Sequence, residues 1–96
     1  MYDEKVSPDG KITASFFERN CGATTPYVQV VSLRLSNEEF EPEKFDNWVF
    51  TIHGRSKIKM TWEETDKLSI SYSETGDSPT LKNNWKEITI SYTKEN

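Results

Sequence analysis

Apolar and polar side chains alternate with a period of two in four stretches of the chain, and this pattern is the strongest constraint on its fold. Such alternation is typical of a β-strand that buries one face and leaves the other in water. The residues expected to face the core are Ile12, Ala14 and Phe16, then Ile58, Met60 and Trp62, then Leu68, Ile70 and Tyr72, and finally Ile88, Ile90 and Tyr92. The residues between them are mainly Lys, Ser and Thr, so each strand is predicted to be half-buried.

Two further strands complete the expected sheet structure. Residues 27–35 carry Val and Leu on both faces, which is typical of a central strand covered on both sides, and residues 48–52 form a second apolar run. About six strands joined by short turns, with no long helical pattern, predict one antiparallel all-β domain over residues 1–96. The expected architecture is a two-layer sandwich or a strongly curved sheet. The similar sequences of residues 68–73 and 88–93 indicate two neighbouring strands.

The segment after the central strand carries a signal for a short helix. Residues 36–39 have the S-x-x-E spacing of a capping box, in which the serine caps the helix and the glutamate reaches back to it. Pro42 follows too closely for a long helix. We therefore expect at most one short helical turn near residues 37–45.

The charge and cysteine content exclude several classes of protein. The chain has 16 acidic and 12 basic residues and a net charge of −4, whereas a nucleic-acid-binding face needs a basic surplus. No apolar run is long enough for a transmembrane segment, and no cofactor or metal site is indicated. Cys21 is the only cysteine, so an internal disulfide and a multi-cysteine zinc site are both excluded.

Two motifs near the start of the chain resemble those of a known protein family. Residues 7–11 read S-P-D-G-K, a turn in which proline fixes one dihedral angle and glycine accepts a positive φ, and residues 19–25 read R-N-C-G-A-T-T. The chain thereby resembles a family of small uncharacterised bacterial proteins that share an S-P-D-G-K turn and an R-D-C-G-A-T-T motif, with Asn20 here in place of the aspartate. Many members are exported or lipid-anchored. The resemblance implies an extracytoplasmic or membrane-anchored location, reached through a signal upstream of this chain, and it implies no particular activity.

The second motif contains the candidate residues for chemistry. A nucleophilic Cys21 would need a nearby base or positive charge to form its thiolate. His53, the only histidine, is the candidate base, and Arg19 is close in sequence. The N–H groups of Gly22 and Ala23 could then face an oxyanion. The alternative is that Cys21 is a small packed loop residue, as free cysteines often are.

The same motif is also a candidate recognition loop. Its expected binding residues are Arg19, Asn20, Cys21, Gly22, Thr24 and Thr25, because consecutive N–H groups in such a loop can hold an anion. The alternative is a structural loop, in which small residues pass close to the sheet and threonine hydroxyls bond the backbone. Trp85 is a separate candidate. It is out of phase with Ile88 and Ile90, so we expect it to be exposed at the rim, where tryptophan is a usual interface anchor.

These features favour a non-catalytic binding domain or an envelope-associated accessory protein over an enzyme. One alternative is a thiol-dependent enzyme or redox protein that uses Cys21. Another is an acidic inhibitor or immunity-type protein, because residues 38–46 contain five acidic residues and one basic residue and would attract a basic partner. The partner would be a protein or a small ligand, and an unpaired sheet edge could also join two copies into a homodimer.

Overall fold

A computed structural model of the chain describes residues 2–19, 28–40, 45–53, 57–73 and 79–95. Nine strands and one 3₁₀ helix make up the secondary structure of these ranges. The strands are β1 Tyr2–Val6, β2 Ile12–Arg19, β3 Val28–Leu35, β4 Trp48–His53, β5 Lys59–Glu64, β6 Lys67–Ser73, β7 Thr80–Leu81, β8 Asn84–Trp85 and β9 Ile88–Glu95, and the 3₁₀ helix is Phe45–Asn47. The all-β class is therefore as the alternation predicts.

The strands form two sheets that are not closed into a barrel, consistent with the predicted sandwich. The first sheet has the order β1-β2-β3-β4-β7, and all of its neighbouring strands are antiparallel. The second sheet has the order β5-β6-β9-β8, and β6 and β9 run parallel. Between β6 and β9 the chain forms β7 in the first sheet and then β8 in the second. This crossover connection allows β9 to run parallel to β6. Alternation predicts the face that a residue occupies and not the direction of its strand, so the parallel pair was not predicted.

β6 and β9 are neighbours, which confirms the interpretation of their similar sequences. Leu68 pairs with Ile90, and Ile70 pairs with Tyr92. This register is offset by two residues from the sequence match, which aligns Leu68 with Ile88. Because side chains alternate with a period of two, the offset keeps the apolar residues of both strands on the same face.

Three of the strands are absent from the sequence-based prediction. β1 carries the consecutive charged residues Asp3, Glu4 and Lys5 and lies at the edge of the first sheet, where charged side chains are typical. β7 and β8 have two residues each and are too short to show a period. The described part of the chain therefore has more strands than expected, although its fold class is as expected.

The core lies between the two sheets and contains the residues that the alternation predicts. The buried members are Ile12, Ala14, Phe16, Met60, Leu68, Ile70, Ile88 and Ile90, and Ile58, Trp62, Tyr72 and Tyr92 are partly buried against them. Phe50 on β4 is buried, and its ring centre lies 5.3 Å from that of Tyr72 and 5.7 Å from that of Tyr92. Full burial of one such apolar side chain contributes about 1.5–3 kcal/mol to folding.

Among the described residues, the side chains of Tyr92 and Trp62 form hydrogen bonds that link one sheet to the other. The Tyr92 hydroxyl lies 3.0 Å from the carbonyl oxygen of Val49 and 2.6 Å from that of Lys82. Burial raises the pKa of the Tyr92 phenol well above its ordinary value, so this group stays a donor. Trp62 Nε1 donates to the carbonyl oxygen of Lys5 over 2.9 Å, which joins the edge strands β5 and β1.

The outer face of the first sheet is covered as well, so the prediction of a half-buried β2 is wrong. Thr13 and Ser15 are buried on this face although they are polar. Residues 36–40, which we call the covering segment, contact this face through Ser36, which pairs with Thr13, and through Phe40, which lies edge-on to Phe17 at 5.4 Å. Ser15 is bonded by the Arg34 side chain, which in turn contacts the segment. A loop supplies the cover, and the strand pattern contains no information about the path of that loop. β3 is buried on both faces, as predicted.

Arg34 holds the covering segment against the sheet. Its guanidinium donates to Ser15 Oγ over 2.8 Å and forms an ion pair with Glu4 at 2.9 Å. Its Nε donates to the carbonyl oxygen of Glu38 over 3.2 Å, and its guanidinium carbon lies 5.5 Å from the centre of the Phe40 ring. One side chain therefore connects β1, β2 and the covering segment.

The 3₁₀ helix Phe45–Asn47 is the only helical structure in the described ranges, and it begins where the predicted range 37–45 ends. Ser36 does not cap a helix there, because its hydroxyl pairs with that of Thr13 at 2.8 Å. Leu35 and Glu38 instead form reciprocal bonds. The Glu38 N–H donates to the Leu35 carbonyl oxygen over 2.9 Å, and the Leu35 N–H donates to the Glu38 carboxylate over 3.4 Å. The segment therefore forms a turn at these residues, and residues 41–44 lie outside the described ranges.

Candidate functional site

Most of the candidate recognition loop lies outside the described residues. Arg19 is the last residue of β2, and its backbone pairs in register with that of Val28, the first residue of β3. The other candidates, Asn20, Cys21, Gly22, Thr24 and Thr25, fall in the range 20–27, which is not described. Their roles in binding, and the nucleophilic role of Cys21, stay predictions.

His53 lies at the same end of the first sheet as this loop. It is the last residue of β4 and pairs in register with Val28, which directly follows the range 20–27. His53 is exposed and lines a hollow of 390 Å³ together with Trp48 and Thr51. The sheet register thus places the only histidine beside one end of the loop that contains the only cysteine.

Trp85 is buried, so the prediction that it is exposed at the rim is wrong. Its side chain is 7% exposed and belongs to the core. The prediction counted the phase of Trp85 along a single strand, whereas β8 and β9 form a hairpin in which Trp85 pairs directly with Ile88. Directly paired residues point to the same face of a sheet, and Trp85 therefore faces the core with Ile88.

An open groove of 530 Å³ lies at the end of the sandwich where three turns meet, and we call it the end groove. The turns are residues 7–11 between β1 and β2, residues 65–66 between β5 and β6, and residues 86–87 between β8 and β9. Its apolar floor is formed by Ile12, Leu35, Trp85 and Ile88, and its charged rim by Asp9, Lys11, Asp66, Lys86 and Glu87. Four of the ten lining residues are apolar and six are polar or charged, and ligand sites use apolar side chains for contact and polar groups for orientation.

The turn between β1 and β2 has the structure that its S-P-D-G-K sequence predicts. Gly10 has a φ of 74°, in the left-handed region that favours glycine. The Asp9 carboxylate accepts hydrogen bonds from the Ser7 hydroxyl over 2.6 Å and from the Lys11 N–H over 3.2 Å. The bond from Ser7, and then that from Lys11, hold the pKa of Asp9 below its ordinary value. The carboxylate of Asp9 is thus engaged within its own turn.

The turn between β8 and β9 has an unusual backbone conformation. Lys86 has a φ of 51° and is the only described residue other than glycine with a positive φ. Two-residue hairpin turns favour such conformations, although they cost about 1–2 kcal/mol in a residue with a side chain. The ammonium of Lys86 lies 5.3 Å from the centre of the Trp85 ring, within the range of a cation–π interaction.

Several charged groups on the rim form no ion pair with any described residue. They are the ammonium groups of Lys11 and Lys86 and the carboxylates of Asp66 and Glu87. By contrast, the Arg34 and Glu4 side chains on the outer face of the first sheet are joined to each other. The end groove therefore combines apolar surface with charges that a ligand can engage.

Sequence reasoning missed most of the end groove. Trp85 was a candidate for the wrong reason, and neither Leu35 nor Lys86 was a candidate. The S-P-D-G-K motif marks one wall of the groove. The turn at Lys86 and Glu87 has no Asn-Gly or Asp-Gly signal, and the meeting of the three turns depends on the order of strands in the two sheets.

Other predictions can be placed on the described ranges. Within the predicted acidic surface, Glu38, Glu39 and Asp46 are exposed, and residues 41–44 are not described. No three His, Cys, Asp or Glu side chains of the described residues are grouped so that they could hold a metal ion. Among the elements of these ranges, no helix has the length and apolar character needed to cross a membrane.

Comparison with known proteins gives no relative from which a function can be carried over. No family model matches the chain, no curated protein matches its sequence, and no solved structure matches its fold. The end groove and the loop end of the first sheet are therefore the features from which a function can be inferred.

Proposed function

We propose that the protein is a non-catalytic binding domain and that the end groove holds its ligand. The supporting observation is the make-up of this groove, which has an apolar floor, a rim of charges without ion pairs among the described residues and an open volume of 530 Å³. Ligand sites are usually clefts of about 300–1,000 Å³ in which apolar side chains supply contact and polar groups fix orientation. Leu35 on the floor is 36% exposed, so a ligand that covers it removes apolar surface from water.

A fragment screen by NMR on the complete chain tests this proposal. The expected result is that bound fragments shift the amide signals of the three turns around the groove. Leu35→Asp places a charge on the apolar floor and should abolish these shifts. Val6→Asp is the matched control, because Val6 is 54% exposed and lines a different hollow, between β1 and β5. Fragments that bind only elsewhere, or that bind Leu35→Asp unchanged, would refute the proposal.

We further propose an envelope-associated accessory role in a bacterium, and this part depends on the resemblance of residues 7–11 and 19–25 alone. Fractionation of the source cells, with an antibody raised against the domain, measures the location directly. The expected result is recovery with the envelope or outside the cytoplasm. Recovery in the cytosolic fraction alone would contradict the proposal.

A second candidate function is thiol-dependent catalysis or redox chemistry by Cys21. It is favoured by one observation, which is that His53 pairs with Val28 at the end of the loop that contains Cys21. Labelling of Cys21 with a thiol reagent across pH tests it in the folded chain. Fast labelling with an apparent pKa well below the free-thiol value of about 8.5, which His53→Asn returns toward that value, would support this function. Labelling that occurs only on unfolding would refute it.

The predicted homodimer is retained as a proposal for the edge strands β1 and β5. The carbonyl oxygen of Lys5 on β1 already accepts the bond from Trp62, so pairing of two copies would use the other backbone groups of these edges. Light scattering on the purified chain gives the mass in solution. A monomer at high micromolar concentration would rule the dimer out.

A further inference from the structure

We infer that the ligand of the end groove is a small organic cation with an apolar chain, and that Lys86 occupies the cation position in the free protein. This inference deepens the proposed function and rests on it. The ligand would place its charge over Trp85 and its chain along the apolar floor, and the Lys86 ammonium would move away into solvent.

The position of Lys86 shows where the groove accepts a positive charge. Its ammonium lies 5.3 Å from the centre of the Trp85 ring. A cation within about 6 Å of an aromatic ring is attracted by the negative face of the ring, and tryptophan binds cations best. Glu87 is next to Lys86 in sequence and Asp66 lines the same groove, yet Lys86 forms an ion pair with neither of them. The indole ring is therefore the partner of this ammonium.

The two carboxylates on the rim favour a second positive charge over a negative one. Asp66 and Glu87 are exposed and form no ion pair among the described residues, so both can pair with a cationic ligand. The rim carries three carboxylates, those of Asp9, Asp66 and Glu87, against the two ammonium groups of Lys11 and Lys86, so its surplus charge is negative and repels an anionic ligand. The net charge of −4 also draws cations toward the protein and repels anions.

The floor accounts for the apolar chain of the proposed ligand. Ile12 and Ile88 are buried at the end of the core, and Leu35 beside them is partly open to water. An alkyl chain laid across these side chains would extend the core outward and remove Leu35 from water. A compact ion such as ammonium would gain none of this contact, and the groove is larger than such an ion needs.

Titration with three probes of equal chain length tests the inference. Decyltrimethylammonium, decyl sulfate and the uncharged decyl glucoside are added below their micelle concentrations to the complete chain, and NMR follows the Trp85 indole N–H and the amides of the three turns. We expect the cation to bind at the groove at least about five-fold more tightly than the anion. Asp66→Asn and Glu87→Gln should each lower the affinity for decyltrimethylammonium by up to about five-fold, as expected for exposed ion pairs.

Lys86→Met tests the displacement of the internal cation. Methionine keeps much of the apolar stem and removes the competing ammonium, so the affinity for decyltrimethylammonium should rise about two- to five-fold. Lys57→Met is the matched control, because it changes the net charge equally at an exposed residue that does not line the groove. An affinity in Lys86→Met that is unchanged or lower than in Lys57→Met would overturn the displacement.

The outcomes separate this inference from the function on which it rests. If decyl sulfate or decyl glucoside binds the groove as tightly as the cation, the inferred cation specificity is wrong and the binding function stands. If none of the probes shifts the groove while screened fragments do, the inferred ligand class is again wrong. If neither probes nor fragments shift it, the proposed function fails as well.

Discussion

The outer faces of the two sheets have similar side chains and different surroundings. On the first sheet, Thr13 bonds the covering segment and Ser15 bonds Arg34, and both are as buried as residues of the core. On the second sheet, Thr61 pairs with Ser69, and Ser69 pairs with Ser91, so hydroxyl groups lie side by side on three strands. Thr61 and Ser91 are exposed. Serine and threonine at alternate positions therefore do not by themselves indicate a solvated face.

Hydroxyl groups on the covered face form hydrogen bonds with protein groups, whereas those on the bare face can form them with water. Ser15 accepts a hydrogen bond from Arg34 over 2.8 Å, and Thr13 pairs with Ser36 over 2.8 Å. Within the described ranges, no buried side-chain nitrogen or oxygen lacks a hydrogen-bond partner. On the covered face each hydroxyl contributes to stability because losing a buried partner leaves a desolvated group, whereas on the bare face water takes the place of any partner removed.

Removal of an aromatic ring from the covered face should give the largest difference between the two faces in the free energy of unfolding. Phe17 is 7% exposed and contacts Phe40 and Trp48 edge-on. Phe17→Ala should lower the free energy of unfolding by about 3–5 kcal/mol, because it leaves a cavity beneath the covering segment. Thr61→Ala on the bare face should change it by less than about 0.5 kcal/mol. Urea denaturation measures both, and equal effects would show that the cover is not packed.

Removal of Arg34 should have the next largest effect. Its side chain is 15% exposed and that of Glu4 is 36% exposed, so the loss is smaller than for a fully buried pair. We expect Arg34→Met to destabilise the fold by about 2 kcal/mol and to speed amide exchange in the covering segment. Lys67→Met removes the exposed ion pair with Glu64 on the second sheet and should leave stability unchanged within error. Unchanged exchange in Arg34→Met would mean that Arg34 does not hold the cover.

Deleting one serine hydroxyl from each face compares the two faces with the same chemical change. Ser15→Ala removes the acceptor of the Arg34 bond on the covered face and should cost about 1–2 kcal/mol. Ser69→Ala removes the same atom from the centre of the bare face and should change stability by less than about 0.5 kcal/mol. Paired thermal or urea unfolding curves suffice. A larger loss in Ser69→Ala would reverse the assignment of the two faces.

The smallest expected effect lies at the turn between β1 and β2, outside both faces. The pKa of Asp9 is lowered from its ordinary value of 3.8, first by the Ser7 hydroxyl. A lowered folded-state pKa means that the contribution of Asp9 is fully present above the ordinary value and is lost as the pH falls through the lowered one. Asp9→Asn should therefore lower the melting temperature slightly at about pH 6 and by less at about pH 2. A difference of the same size at both pH values would show that the charge plays no part.

How much of the molecule the sequence predicts depends on what lies against each face. Alternation correctly predicts the burial of Met60, Leu68 and Ile90, because the opposite face of the second sheet is in contact with water and carries polar residues. It fails for Ser15, because the Arg34 side chain, which contacts the covering segment, bonds Ser15 on that face. It fails for Trp85, because the two-residue turn pairs Trp85 directly with Ile88 and so turns it to the core face. The end groove was not predicted because its walls are brought together by strand order. No local pattern encodes that order.

The parallel pairing of β6 with β9 has a consequence for how the chain folds. β9 reaches β6 only after the chain has passed through β7, which pairs with β4 in the other sheet. The contacts between β6 and β9 therefore close a long loop, and loop closure loses conformational entropy before the contacts compensate for it. Because the chain crosses from one sheet to the other and back, we expect the two sheets to unfold in a single cooperative transition. The amide protons of β9 should then exchange only through global unfolding.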